Sequence, residues 1–177
     1  MSGLKDQIAG KIVEDMDFFK KIANKIPGFK GYIERQNRRD ADKLVRDTLF
    51  KRFRELEDHV SALQREFLAQ GQLSEVGKLE ATAIKLRTFA DRIHRARRGY
   101  AGLFGAVKVN EEELTRLYEY DSTMLDLTDK VQAAIDNVEA SIGTDGLPAS
   151  IRNLESLARE CVETYNRREE ILTGAAG

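Results

Sequence analysis

The 177-residue chain contains one cysteine, no tryptophan and two prolines. A single cysteine excludes an intramolecular disulfide framework and fits a reducing compartment. Few prolines together with 33% charged residues are typical of a helix-rich protein, and not of a β-sandwich with many short strands separated by turns. The composition therefore predicts an all-α fold.

Long hydrophobic runs are also missing. No apolar stretch approaches the roughly 20 residues that a membrane-spanning helix needs. The N-terminus has no basic segment followed by an apolar core, as a secretory signal would have. These absences predict a cytoplasmic protein, and they leave peripheral attachment to a membrane surface open.

The near-neutral net charge of −1 hides a split between two adjacent segments. Residues 75–98 hold seven basic and three acidic side chains, whereas residues 99–146 hold three basic and ten acidic ones. Adjacent segments of opposite sign are typical of two helices that neutralise each other. Because nucleic-acid binding needs an unneutralised basic face, we expect no nucleic-acid partner.

Apolar residues recur every three or four positions along five segments, which predicts five helices. The first covers residues 4–26, is amphipathic and ends at the turn sequence PGFKGY, and the four longer ones cover residues 33–70, 75–98, 110–142 and 149–172.

Short connections between these helices favour antiparallel neighbours. We therefore expect an antiparallel up-down-up-down four-helix bundle over residues 33–173. Residues 1–32 add the N-terminal amphipathic helix and its turn, and residues 174–177 form a frayed tail. A continuous two-stranded coiled coil is the rival arrangement.

The connector between the second and third bundle helices, residues 99–110, has the unusual sequence GYAGLFGAVKVN. Loops are normally polar. An apolar connector with three glycines is therefore either buried against another part of the protein or shaped to contact a partner. The predicted topology places it at the same end as PGFKGY and all five tyrosines. Tyrosine and arginine are enriched at interfaces, which makes this end a candidate interaction surface of Phe29, Tyr32, Arg97, Arg98, Tyr100, Leu103, Phe104 and Lys108. The alternative is that the tyrosine rings are buried and only cap the bundle end.

Two charged residues interrupt the apolar stripes of the last two helices. Asp121 lies in the stripe of the third bundle helix and Arg168 in that of the fourth. Reflecting the helices about a turn near residue 145 places them opposite each other. Because an isolated buried charge is costly, we predict a structural ion pair between them, with a ligand-binding carboxylate at Asp121 as the alternative.

Residues able to support catalysis or metal binding are few. The two histidines, His59 and His94, lie about eight residues apart along the predicted hairpin. The other two bundle helices carry no histidine that could complete a di-metal site of the kind found in ferritin-like bundles. Cys161 lies on an apolar stripe, as expected for an inert core thiol. The G-x-x-G-x-x-G spacing at residues 99–105 matches neither a P-loop nor a dinucleotide fingerprint. We therefore expect no enzyme activity, metal or cofactor.

Three functional hypotheses follow. The leading one is a non-enzymatic interaction or scaffold protein that binds a protein partner, or itself, through residues 99–110 together with 27–32. The second is a peripheral membrane protein that uses the amphipathic helix at residues 4–26. The third is a binder of a small ligand or anion at the arginine, tyrosine and Asp121 cluster.

Overall fold

The computed structural model describes residues 17–35, 38–106 and 111–173, with side chains for residues 17–35, 40–96 and 116–170. Within these ranges all regular structure is helical, which confirms the all-α prediction. In chain order the helices are α1 (Asp17–Lys25), α2 (Phe29–Glu34), α3 (Arg38–Ala69), α4 (Leu73–Ala106), α5 (Glu111–Ala140) and α6 (Leu147–Thr173).

The break after α1 is shorter than predicted. Proline and glycine make the turn at Pro27 and Gly28, and Gly28 has a φ of 86°, a conformation that glycine adopts without steric cost. The residues that follow form the short helix α2, because Phe29, Tyr32 and Ile33 have helical spacing and pack inward. The first bundle helix consequently begins at Arg38, and not at residue 33.

A tight turn joins α3 to α4. Gly71, with a φ of 74°, ends α3 in a Schellman motif. In this motif the Gln72 amide donates to the Phe67 carbonyl at 2.9 Å and the Gly71 amide donates to the Leu68 carbonyl at 3.1 Å. The motif makes α3 and α4 an antiparallel hairpin, and Phe53 of α3 meets Phe89 of α4 at 4.6 Å between ring centroids.

Helix α4 continues to Ala106, so the predicted helix end near Arg98 was wrong. Each glycine costs about 1 kcal/mol relative to alanine inside a helix. The apolar positions at Ile93, Ala96, Tyr100 and Leu103 nevertheless keep the helical spacing of three and four through this stretch. The glycine-rich sequence is therefore largely helix. With 32 residues in α3 and 34 in α4, the expectation of a shorter second helix was also wrong.

The two hairpins pack against each other. Among the described residues, α4 contacts α6 and α3 contacts α5, in addition to the α3–α4 and α5–α6 contacts within the hairpins. This arrangement differs from a two-stranded coiled coil, which has no second hairpin. The shared core is apolar, and in it Phe89 bridges Phe53 and Tyr165, with the Phe89 and Tyr165 centroids 5.5 Å apart.

The segment before the bundle belongs to the same core. Helix α1 packs on α5 and α2 packs on α3. Phe19, Ile22, Ile26 and Phe29 are each at most 3% exposed. None of the described helices combines the length and apolar character needed to cross a membrane.

Candidate functional site

Four charged side chains meet inside the bundle where α3, α5 and α6 come together. Arg168 of α6 donates from Nε to Asp121 Oδ1 of α5 at 2.7 Å, and from Nη2 to Asp42 Oδ1 of α3 at 2.7 Å. Arg46 Nη2 lies 2.8 Å from the second oxygen of Asp42. We call Asp42, Arg46, Asp121 and Arg168 the buried charge cluster, since their side chains are between 1% and 12% exposed.

The buried charge cluster is electrically balanced, with two guanidinium groups and two carboxylates. Burial raises the pKa of the Asp121 carboxyl, although the nearby charge of Arg168 opposes this shift. Burial also works against the charge of Arg168, but the Asp121 and Asp42 carboxylates outweigh it and raise the pKa of Arg168 above its ordinary value. Buried charges are tolerated when they are paired in this way, and the cluster ties three helices together at one level of the bundle.

Sequence reasoning identified only part of this cluster. Asp121 and Arg168 were predicted to lie opposite each other, and they are in contact. Asp121 Oδ1 accepts a hydrogen bond from Arg168 Nε. The participation of Asp42 and Arg46 was missed. A signal for them existed, because they stand beside the buried residues Ala41 and Val45 at the start of α3.

Two of the tyrosines assigned to this end, Tyr118 and Tyr165, are buried. Tyr165 is 1% exposed, its hydroxyl donates to the Arg92 carbonyl at 3.4 Å, and the Arg92 guanidinium lies 5.0 Å from its ring centroid. Tyr118 is 5% exposed and meets Phe19 and Phe29 edge to face. These two rings therefore seal the core and are not free for a partner.

The predicted interaction surface is only partly described. Phe29 is fully buried against Phe19 and Tyr118, so its assignment to a partner surface was wrong. It is buried because α2 turns its apolar side onto α3. Tyr32 is half-buried, with the Arg35 guanidinium 5.2 Å from its ring centroid. The remaining members lie outside the described side chains: Arg97, Arg98, Tyr100, Leu103, Phe104 and Lys108.

Charged contacts hold α1 on the bundle. Lys25 Nζ lies 2.8 Å from both Asp126 and Asp129 of α5, and Lys21 Nζ lies 3.1 Å from Asp126. Partial burial disfavours charge on Lys25, but its hydrogen bonds to the two aspartates prevail and raise its pKa. Partial burial acts against ionised Asp126 as well, and hydrogen bonds from the two lysines lower its pKa overall.

A further arginine supports the same contact. Arg52 of α3 donates to the Lys25 carbonyl at 3.2 Å and to the Thr128 hydroxyl at 3.4 Å. A cation at the last carbonyls of a helix is favourable, because these groups lack partners within the helix. Helix α1 is thus held by burial of its apolar face and by charge pairs along the edge of that face.

The residues considered for chemistry are a histidine stacked on a phenylalanine, an exposed histidine and a buried cysteine. His94 stacks on Phe50 with centroids 4.6 Å apart, and His59 is exposed. Burial raises the pKa of the Cys161 thiol to about 12, which makes it unreactive. In the described part of the chain no group of three His, Cys, Asp or Glu side chains could hold a metal ion.

No protein-family model, curated protein or solved structure matches this chain.

Proposed function

We propose that the protein is a non-enzymatic, cytoplasmic interaction protein built on a closed up-down-up-down four-helix bundle. We assign the surface that binds a protein partner, or a second copy, to residues 97–108 together with Tyr32. The observation that supports this is the continuation of α4 to Ala106. In the sequence of this stretch, Tyr100, Leu103 and Phe104 stand at the i, i+3 and i+4 spacing that is typical of one face of a helix, and an amphipathic helix is a common recognition element.

Two structural features favour this proposal over its alternatives. The membrane hypothesis needs a free apolar face on residues 4–26, but Phe19, Ile22 and Ile26 are buried in the bundle. The ligand hypothesis needs an available carboxylate at Asp121, but this group is engaged by Arg168. Residues 1–16 lie outside the described residues, so the membrane hypothesis is weighed here on residues 17–26.

A matched pair of variants tests the proposal. The variant Leu103→Ser/Phe104→Ser removes apolar surface at the proposed end. The control Leu73→Ser/Ile84→Ser removes it elsewhere on α4, where these residues are 66% and 51% exposed. We expect the first variant to lose self-association measured by light scattering, or capture of a partner from native extract, while the control retains it.

Circular dichroism shows whether both variants keep the helicity of the wild type. If a folded Leu103→Ser/Phe104→Ser variant associates as the wild type does, the proposed surface is wrong. A wild type that stays monomeric at high concentration and captures nothing would also contradict the proposal.

A further inference from the structure

Residues 17–34, which we call the strap, lie on a surface formed by α3 and α5. Phe19, Ile22 and Ile26 follow the i, i+3, i+7 spacing of an amphipathic helix and are fully buried. Phe29 joins them after the turn and contacts Tyr118 of α5. The four long helices make their own pairwise contacts without the strap, so the strap is an added layer that fills a helix-binding surface.

The edge of this surface pairs with its occupant through opposite charges. Its acidic side is Asp126 and Asp129, and its occupant supplies Lys21 and Lys25. Arg52 adds a donor for the last carbonyl of the bound helix. We call these residues of α3 and α5, together with Tyr118, the strap site. An apolar surface with a charged edge is how helix-binding grooves recognise a partner helix.

We propose that the strap site also accepts the strap of a second copy of this chain, so that two copies exchange residues 17–34. The exchange would preserve the apolar contacts and the lysine–aspartate pairs, because both copies carry the same residues. Such an exchange costs little enthalpy. The connection is short, since α2 ends at Glu34 and α3 begins at Arg38, and a short hinge invites exchange between copies when folding back onto its own chain strains it. This proposal is independent of residues 97–108.

Two charge-reversed variants of the full chain test the exchange. The strap variant is Lys21→Glu/Lys25→Glu and the site variant is Asp126→Lys/Asp129→Lys. In either variant alone, the strap and the strap site carry charges of the same sign. Binding of the strap to its own chain is therefore unfavourable. In a mixture, the strap of each variant matches the site of the other, so charge complementarity is restored only between copies.

The variants are mixed in urea and refolded together, which removes any kinetic barrier to exchange. We expect the mixture to contain at least about tenfold more dimer than either variant alone, a ratio that corresponds to about 1.4 kcal/mol. The excess should fall at high salt, where exposed charge pairs are screened. The matched control carries all four substitutions in one chain, restores the pairs internally and should behave as the wild type.

Light scattering gives the dimer fraction, and circular dichroism confirms helicity before mixing. If the reversed pairs prevent folding, the single changes Lys25→Glu and Asp126→Lys are used in the same way. A folded mixture with no more dimer than its separate components overturns the proposal. Dimers formed through residues 97–108 would not produce this difference, since both variants and the mixture share that surface.

Discussion

Replacing Arg168 with methionine should strongly destabilise the protein. It removes the donor that binds both Asp121 and Asp42 at 2.7 Å. Asp42 keeps Arg46 at 2.8 Å, but Asp121 loses the ion pair that compensates its burial. Breaking a buried ion pair costs about 3–5 kcal/mol, a large share of the 5–15 kcal/mol by which a domain of ordinary stability is folded.

The loss should depend on pH in a defined direction. Burial raises the pKa of Asp121 above its ordinary 3.8 and the charge of Arg168 opposes this, so removing Arg168 raises it further. A carboxyl whose pKa is higher in the folded state than in the unfolded state becomes protonated in the folded state at a higher pH. Stability lost at neutral pH is therefore regained as the pH falls through the native pKa.

Urea unfolding followed by circular dichroism at pH 7 and pH 5 measures both effects. With a denaturant slope of about 2 kcal/mol per molar, a loss of about 3–5 kcal/mol should lower the urea midpoint at pH 7 by about 1.5–2.5 M. The control Arg167→Met changes the exposed neighbouring arginine on the same helix and should stay within about 0.5 kcal/mol of the wild type. The double variant Asp121→Asn/Arg168→Met should be at least as stable as Arg168→Met at pH 7. A loss below about 1 kcal/mol, or one of equal size at both pH values, would refute the reasoning.

Two further outcomes test the local structure. Gly77 lies inside α4, and a Cβ there would meet nothing within 4 Å, so Gly77→Ala should stabilise the protein by about 0.5–1 kcal/mol. Gly71 has a φ of 74°, so Gly71→Ala should instead destabilise it by about 1–2 kcal/mol; urea midpoints that move in the same direction would contradict this contrast. Cys161 is buried and its thiol pKa is about 12, so a thiol reagent at pH 8 should label it only as fast as the protein unfolds. Immediate labelling of the native protein would show that the thiol is accessible.

The helices could be predicted from local sequence because their buried stripes are regular. Leu49, Phe53, Val60 and Phe67 of α3 are all at most 1% exposed, as their spacing indicates. The same regularity extends into the glycine-rich segment, where glycine content outweighed periodicity in the prediction and placed the helix end eight residues early. A glycine lowers helix propensity by a small amount, so the continued helical spacing of the apolar residues was the better guide to where α4 ends.

The candidate site was less predictable because it depends on contacts between distant segments. Asp121 and Arg168 could be paired because a single turn separates their helices. Asp42 is 126 residues from Arg168 in sequence, so no local turn fixes their register. The docking of Lys25 on Asp126 is equally remote, at 101 residues, and required the packing of α1 on α5 to be known.

We expect the buried charge cluster to favour one axial register of α6, which its apolar stripe alone does not do. Sliding α6 by one turn moves Arg168 by about 5.4 Å, twice the 2.7 Å length of either of its bonds. Leu154, Ala158 and Cys161 could find other apolar neighbours after such a slide. Arg168, Asp42 and Asp121 could not, because two carboxylates and a guanidinium would stay buried with fewer partners, and buried polar groups specify register in this way. We therefore expect Arg168 to favour the observed alignment of α3, α5 and α6, in which Tyr118 and Asp126 of α5 contact residues 17–34.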